Sequence, residues 1–389
     1  MSEKLVIELG KEAYEMMSDS EKWILSLFIW ARCGCHKDLN TVYRGYAAIA
    51  SWWEENDITG SILLANRDNA AVLAEISLDQ DTVTWVQEHA LEMTQKGGIK
   101  VTQLAGAVFN HKDDKKGYHN IFCFWWMSHI EHQFTFPDTS NTCFGSHYEA
   151  AVVLLVNLSN FHKYLDFTIN KKQNWKPSHL KKNLCKALND LPTLTELAVL
   201  AIYAQAISHL YMHVVHGQNG RTNMLDLGPF HNKVLKHIER IINNPDLLLA
   251  ENTSSETRAL NSLLWQSPEV FHTISQLKPQ LLHLKPLLVQ FLEGAATTWT
   301  WFTSEFAPGG LIDESTANEK DLAWMPATND ANESALGSFQ VLMHNQPQLT
   351  VLYYNAQWMF EQNDTQGFIS EKLTKTEDLK FIHREAQAL

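Results

Sequence analysis

The sequence between about Glu149 and Phe306 carries an almost uninterrupted helical pattern. Apolar residues recur there at three- and four-residue spacing, and strand signals are scarce. The pattern predicts helices from Tyr148 to Asn170, from Thr193 to His216, from Phe230 to Ile242 and from Leu281 to Phe306. A helix with one apolar face has to bury that face against another element. A block of roughly 160 residues of this kind therefore predicts a domain of helices packed on helices.

The sequence before this block predicts an α/β arrangement. Residues 11–55 have helical periodicity, interrupted around Cys33–Asp38. The short apolar run Ser61–Ala65 follows a glycine and precedes an alanine-rich helix, which predicts a strand, and Gln133–Phe136 predicts a second strand. Val101–Phe109 fits a helix or a strand. We therefore expect a few strands that are interrupted by the large helical block.

Composition limits the partners of this chain. Its 389 residues are 45% hydrophobic, enough to bury a sizeable core. A net charge of −13 argues against a protein that coats nucleic acid through bulk charge. One basic stretch favours a local DNA contact with a tryptophan available for stacking, although such a run is also typical of a solvated helix face. Its residues are Lys171, Lys172, Trp175, Lys176, Lys181 and Lys182.

Cysteine usage and hydropathy indicate the compartment. The five cysteines are odd in number, and no apolar segment at the N-terminus resembles a signal peptide. We therefore expect a nuclear or cytoplasmic protein that is not secreted. The longest apolar stretch, Leu194 to Val215, contains Glu196 and Gln205, which favours a buried helix over a membrane span. No membrane partner is expected.

Three short segments carry the candidate chemistry. Arg32–Asn40 reads RCGCHKDLN, Asp138–Tyr148 reads DTSNTCFGSHY, and Pro326–Ser334 reads PATNDANES. Glu333 is the main catalytic candidate, because its carboxylate stands where an irregular segment becomes a helix. A structural interpretation stays open, in which Asp330 is the N-cap and Glu333 completes a capping box.

The three segments resemble motifs of hAT-superfamily transposases. The first is similar to that family's Arg-Cys-x-x-His-x-Leu-Asn motif through Cys33 and His36, with one extra residue before Leu39. The second resembles the Asp-x-x-Thr-Arg-Trp-x-Ser-x-Tyr segment through Asp138, with Phe144 at the tryptophan position and a cysteine at the arginine position. The third is similar to the Pro-Ala-Ser-Ser…Glu segment. The chain also resembles uncharacterised transposon-encoded reading frames of fungi.

This resemblance implies a cut-and-paste DNA enzyme with an RNase H-like core and an all-α insertion domain. Two aspartates and a glutamate of that family hold Mg²⁺, and Glu333 matches the glutamate. The family's aspartates lie upstream of the Cys-x-x-His motif, where this sequence has no strand-borne aspartate. Asp68 and Asp38 are the candidate substitute carboxylates, since two-metal cleavage needs several such groups.

We therefore expect the C-terminal portion of a transposase-like protein that is catalytically incomplete. The predicted domains are a truncated α/β core over 1–148, a helical insertion over 149–320, and C-terminal helices over 321–389 that carry Glu333. The alternative is a domesticated, non-enzymatic module that binds DNA or protein. A homo-oligomer contact through the apolar residues around Trp358 competes with plain core packing of the same residues.

Two further metal sites are alternatives. Zinc could be bound by Cys33, Cys35 and His36 together with His111, His119, His129 or His132, but the spacing is not that of a zinc finger, and a buried cysteine pair is favoured. His209, His213 and His216 occur at i, i+4 and i+7 and share one helix face. They define a third function, a helical metal-dependent enzyme, although no His-Glu-x-x-His pattern supplies a general base.

Overall fold

The described part of this protein is built from helices. The computed structural model describes residues 10–75, 84–110, 118–139, 145–170, 178–217, 222–251, 253–255, 259–260 and 263–388. No strand occurs in these ranges, and two isolated β-bridges join Leu63 to Lys96 and Asn223 to Pro326. The predicted α/β fold with a partial RNase H-like core is therefore wrong for the described residues.

The helices are numbered in chain order. The first seven are α1 (Lys11–Glu15), α2 (Asp19–Ser26), α3 (Gly34–Glu55), α4 (Arg67–Ala74), α5 (Trp85–Glu92), α6 (Gly98–Phe109) and α7 (Tyr118–Ile130). The next nine are α8 (Ser146–Val156), α9 (Leu158–Asn170), α10 (His179–Ala187), α11 (Leu191–Tyr203), α12 (His209–His216), α13 (Gly228–Asn243), α14 (Asp246–Leu249), α15 (Glu269–Leu277) and α16 (Leu284–Phe302). The last six are α17 (Leu311–Glu314), α18 (Ala317–Leu322), α19 (Asp330–Asn345), α20 (Val351–Gln362), α21 (Thr365–Lys372) and α22 (Thr376–Ala388).

The two predicted strands are segments without regular secondary structure, the first bonded through its backbone to other elements and the second held by aromatic packing. The carbonyl oxygen of Ala65 accepts hydrogen bonds from His179 Nε2 at 2.9 Å and Asn183 Nδ2 at 2.7 Å, both on α10. Side chains thus take the place of a neighbouring strand at Ala65, while the Leu64 N–H donates to the Gln95 carbonyl oxygen at 3.0 Å beside the isolated Leu63–Lys96 bridge. In Gln133–Phe136, Phe136 is fully buried and Phe134 stacks on Trp126 with ring centroids 4.4 Å apart. Aromatic packing holds this segment without a sheet.

The centre of the core is an antiparallel pair formed by α3 and α16. Two glycines bring the helices together, since a Cβ at Gly45 would lie 2.8 Å from the Phe291 ring and a Cβ at Gly294 would lie 2.9 Å from Ala48 Cβ. Helix α11 packs beside this pair and is buried on every side from Thr193 onward. The tight approach explains why this pair, distant in sequence, dominates the core.

Helix α11 continues through one π-helical turn, Ala204–Ser208, into α12. The continuous helix Leu191–His216 is long and apolar enough to cross a membrane. Of its most apolar stretch of 18 residues, 78% is buried inside the fold. A π-turn adds one residue to a helical turn and rotates everything that follows. Here it changes the direction of the side chains between α11 and α12.

The chain divides into two compact units, 1–327 and 328–389. The first contains α1 to α18, and the second contains α19 to α22. A division between residues 148 and 149 stays a prediction. In the second unit, Tyr354 is buried, and its ring meets the Phe339 ring at 5.0 Å.

Candidate functional site

At the start of α3, the first of the three segments that carry the resemblance contacts the end of the second segment and Ala327 of the third, whose residues from 328 onward belong to the second unit. The Gly34 N–H donates a hydrogen bond to the Ala327 carbonyl oxygen at 2.8 Å, which joins the first segment to the third. A Cβ at Gly34 would lie 2.7 Å from Val215 Cγ1, so the approach requires glycine. The Tyr148 hydroxyl donates to Asp38 Oδ2 at 2.9 Å, which joins the second segment to the first.

Asp38 is buried at the centre of this site and accepts three hydroxyl hydrogen bonds. Besides Tyr148, Tyr203 donates to Oδ1 at 2.9 Å and Ser208 donates to Oδ2 at 2.5 Å. Burial raises the pKa of Asp38, and the three hydroxyl donors oppose that rise. The sequence does not indicate these partners, because Tyr203 and Ser208 lie 165 and 170 residues later in the chain, in α11 and the π-turn. Both oxygens of Asp38 are occupied inside the core.

Both ends of the second segment are held by α6. The Thr139 hydroxyl donates to the Thr102 carbonyl oxygen at 3.1 Å. The Thr102 hydroxyl lies 2.9 Å from His147 Nδ1 and itself donates to the Ile99 carbonyl at 2.7 Å, so His147 is the donor in this pair. Burial lowers the pKa of His147 and keeps its ring neutral near pH 7. These bonds hold Thr139 and His147, and the next residue, Tyr148, is the one that reaches Asp38.

A second buried charge cluster lies next to the first segment. Glu305 Oε1 is 2.9 Å from Lys37 Nζ, and Glu305 Oε2 is 2.6 Å from Arg32 Nη1. Burial lowers the pKa of Lys37, and Glu305 offsets part of that shift. For Glu305, burial raises the pKa, but Lys37 and Arg32 overcome it, so the pKa lies below its ordinary value. The cluster joins Arg32 and Lys37 to Glu305 and anchors the start of α3.

Glu196 is a buried carboxylate. In the sequence it stands out only as a charged residue within the apolar stretch from Leu194 to Val215. It accepts hydrogen bonds from the Tyr46 hydroxyl at 2.8 Å, from Trp53 Nε1 at 3.0 Å and from the Gly98 N–H at 2.8 Å. Burial raises the pKa of Glu196, and these donors oppose the rise. Glu196 ties α3, α6 and α11 together and is a structural group.

The histidine face predicted for α12 lines a cavity of about 650 Å³. Its wall contains His209, His213, His216, Glu149 and the apolar residues Leu210, Met212, Leu263 and Leu264. Gln205 accepts the Ser267 N–H at 2.8 Å, so its amide nitrogen, 3.2 Å from His209 Nδ1, is the donor. His209 Nε2 therefore carries the proton, and it has no hydrogen-bond partner in the described structure.

This geometry does not form a three-histidine metal centre. Among the described residues, the ligand atoms of His209, His213 and His216 do not all come within 4.8 Å of one another. Burial lowers the pKa of His209 to about 4, and its ring packs against Tyr148 with centroids 5.6 Å apart. His209 supports the core, whereas His213 and His216 are exposed at the cavity.

The other predicted carboxylates are scattered. Asp68 is exposed on α4 and bonds to Arg67 Nε at 3.2 Å. Asp138 is exposed in the segment before α8. Glu333 lies in the first turn of α19 in the second unit, where Asn329 is the N-cap and makes no side-chain capping bond. Glu333 is thus the fourth residue after the N-cap, whereas a capping box that starts at Asp330 would make it the third.

Three of the predicted zinc ligands, His119, His129 and His132, lie in contacts with other groups. Cys33 is half-buried and Cys35 is buried, and neither forms a disulfide. His119 Nδ1 lies 2.8 Å from the Phe109 carbonyl oxygen, and His129 stacks on Trp125 with centroids 4.4 Å apart. His36 is half-buried on α3, His132 lies against the Trp126 ring, and His111 is outside the described residues.

The predicted DNA-contacting lysines are only partly described. Lys171, Lys172, Trp175 and Lys176 lie outside the described residues, as does Phe144 of the second segment. Lys181 is buried on α10, with Nζ 5.9 Å from the centre of the Tyr164 ring, and its neighbour Lys182 is exposed. A phosphate could therefore reach Lys182 on this helix, but not Lys181.

Comparison of the chain with protein-family models, with curated proteins and with solved structures found no match.

Proposed function

We propose that this chain is the helical part of a transposase-like, DNA-processing protein and does not hold a strand-cleaving centre by itself. The observation that carries this proposal is the meeting of the three transposase-like segments at the start of α3. Asp38 and Tyr148 are 110 residues apart and share a hydrogen bond of 2.9 Å. Gly34 and Ala327 are still farther apart in sequence and share one of 2.8 Å.

Spatial convergence strengthens a resemblance that rests on short motifs. A chance match of three separate segments has no reason to place them together, whereas segments that serve one function share a site. Two of the contacting residues, Tyr148 and Ala327, occupy defined positions of the motifs, whereas Gly34 and Asp38 lie at variable or inserted positions within Arg32–Asn40. The convergence therefore supports a common origin for the three segments in one functional unit.

The same geometry argues against cleavage by the chain alone. Two-metal strand cleavage needs several carboxylates with oxygens open to Mg²⁺. Asp38 is fully engaged with three hydroxyl groups in the core, and Asp68 is exposed on a different helix. In the described part of the chain, neither belongs to a group of three ligand atoms within 4.8 Å. We infer a binding and architectural role that needs further sequence for catalysis.

The test is a DNA-binding and nicking assay on the purified chain with Mg²⁺ or Mn²⁺. We expect the chain to shift labelled oligonucleotides at low salt and to leave a supercoiled plasmid intact, and Glu333→Gln to behave in the same way. Nicking by the wild type that is lost in Glu333→Gln would overturn the inference of incompleteness. Failure to bind either duplex or single-stranded DNA at low salt would overturn the DNA-processing role.

A further inference from the structure

A surface groove runs between α3 and α16 on the side facing solvent. It encloses about 570 Å³ and is lined by one stripe from each helix. The lining residues are Asn40, Tyr43, Arg44, Ala47, Thr297, Thr298, Trp301 and Phe302. The two stripes follow helical spacing, so both project into the groove along its length. At 1.5 Å per residue, the stripe from α3 is about 10 Å long.

Exposed aromatic rings form the walls of this groove. The Trp301 side chain is 60% exposed, although it belongs to a core helix, and Tyr43 is 45% exposed. The Arg32 guanidinium lies between the Trp301 ring at 4.9 Å and the Trp30 ring at 4.7 Å. Phe302 contacts Trp301 edge-on at 4.6 Å. Trp301 is therefore held in place by its neighbours and presents a fixed, flat surface for stacking.

The polar groups of the groove select a specific chemistry. Asn40 Nδ2 donates to the His36 carbonyl at 2.7 Å, and the hydroxyls of Thr297 and Thr298 donate to helix carbonyls at 3.0 and 3.1 Å. Because these donors are used inside the helices, the side-chain oxygens of these three lining residues can act toward a ligand only as acceptors. Arg44 is exposed and supplies positive charge. A flat ring with amino or imino donors, joined to an anion, matches this set.

We propose that the groove binds a single strand of DNA, with bases stacked on Trp301 and Tyr43 and a phosphate bound by Arg44. This inference rests on the proposed function and adds the site and the form of the DNA. Duplex DNA hides the faces of its bases, whereas an unpaired strand offers them to aromatic side chains. A groove about 10 Å long accommodates about three nucleotides at 3.4 Å each.

The test is fluorescence anisotropy of a labelled twelve-nucleotide oligothymidylate. Loss of one stacking contact should weaken binding about 5- to 150-fold in Trp301→Ala, and Trp301→Phe should restore most of it. Tyr43→Phe should bind like the wild type, and Tyr43→Ala should not. Arg44→Gln should lower the slope of log K against log salt by about 0.7, the value for one phosphate contact with a single strand.

Matched controls lie elsewhere on the surface. Trp85 is 75% exposed and stacked on His89, and the Arg67 side chain is 85% exposed, so Trp85→Ala and Arg67→Gln remove the same kinds of group. Both should bind like the wild type. Trp301 and Tyr43 are exposed, so we expect their substitution to leave the helices intact. Circular dichroism of each variant checks this expectation.

Each other outcome overturns the inference in a distinct way. If the wild type binds the oligonucleotide and Trp301→Ala and Trp85→Ala weaken binding equally, the groove is not the binding site, and the proposed function still holds. If the protein binds no DNA at all, both the groove as a DNA site and the proposed function are refuted. Equal affinity for free thymidine monophosphate would make the groove a nucleotide pocket, and a dimer lost in Trp301→Ala would make it a contact between copies.

Discussion

The sharpest prediction concerns Tyr203, whose hydroxyl is one of three donors to the buried Asp38 carboxylate. Tyr203→Phe deletes this hydroxyl and keeps the ring, which packs 5.1 Å from Phe291. A hydrogen bond to a charged group contributes about 1.5–3 kcal/mol, and no water replaces the donor at a site with no exposed surface. We expect the unfolding free energy to fall by about this amount wherever the Asp38 carboxyl is ionised in the folded state of both proteins.

The pH dependence of this loss has a definite sign. Burial already raises the pKa of Asp38, so the folded protein holds this proton more tightly than the unfolded chain. Removing a donor raises the pKa further. The deficit of Tyr203→Phe is therefore complete above the folded pKa of Asp38 in the variant, which is the higher of the two. It shrinks as the pH falls from that value through the wild-type pKa, where the carboxyl becomes protonated in both proteins.

Urea denaturation of the wild type and Tyr203→Phe at a series of pH values measures both effects. Tyr43→Phe is the matched control, because Tyr43 lies on the same helix as Asp38 but is exposed. It should cost less than about 0.5 kcal/mol. If Tyr203→Phe loses no more stability than this control at every pH, the Asp38 carboxylate does not depend on the Tyr203 hydroxyl. The structural role of this hydrogen bond is then refuted.

Three further predictions concern stability. Glu305→Gln should lower the free energy of unfolding by about 3–5 kcal/mol, because it leaves the buried charge of Lys37 without its partner. The control Asp246→Asn breaks an exposed pair with Lys285 and should lower it by less than about 1 kcal/mol. Equal losses for the two variants in chemical denaturation would contradict this prediction. Gly45→Ala should lower the free energy of unfolding by about 1–3 kcal/mol, because its Cβ would lie 2.8 Å from Phe291. The Cβ of the control Gly337→Ala would meet nothing within 4 Å, so this change should stabilise α19 by about 0.5–1 kcal/mol. If calorimetry finds no loss of stability in Gly45→Ala, the close packing of α3 on α16 is refuted. Burial lowers the pKa of His209 and His237 to about 4 and that of His231 to about 3. These rings are neutral when folded and charge on unfolding, so stability should fall as the pH drops below about 6.5 toward 4, and a flat profile would count against their burial.

Local sequence patterns predicted the helices well and the sheet badly. The periodicity between Glu149 and Phe306 reflects apolar faces that the fold does bury, as in α11 and α16. Ser61–Ala65 carries a strand signal because a short apolar run looks the same whether its backbone pairs with a strand or with side chains. Here His179 and Asn183 occupy the Ala65 carbonyl, and nothing near Ala65 in sequence indicates this.

The candidate site was predictable in position but not in role. The motif pattern singled out Arg32–Asn40 and Asp138–Tyr148, and the structure places Asp38 against Tyr148. The pattern could not show that Asp38 is buried, because its other donors, Tyr203 and Ser208, come from a helix about 165 residues later in the chain. Burial and partner choice depend on tertiary packing, which converts a catalytic candidate into a core residue.

The pairing of α3 with α16 also constrains how the protein is made. Gly45 meets Phe291 and Ala48 meets Gly294, so the first long helix finds its closest neighbour roughly 250 residues later. At a synthesis rate of about 5–20 residues per second, α3 waits roughly 12–50 s before α16 has been translated. During that interval Phe291 and Gly294, which pack against Gly45 and Ala48 in the finished fold, have not yet been made. The first unit therefore acquires its core late in translation, and a ribosome that stops before α16 releases a chain that chaperones have to hold.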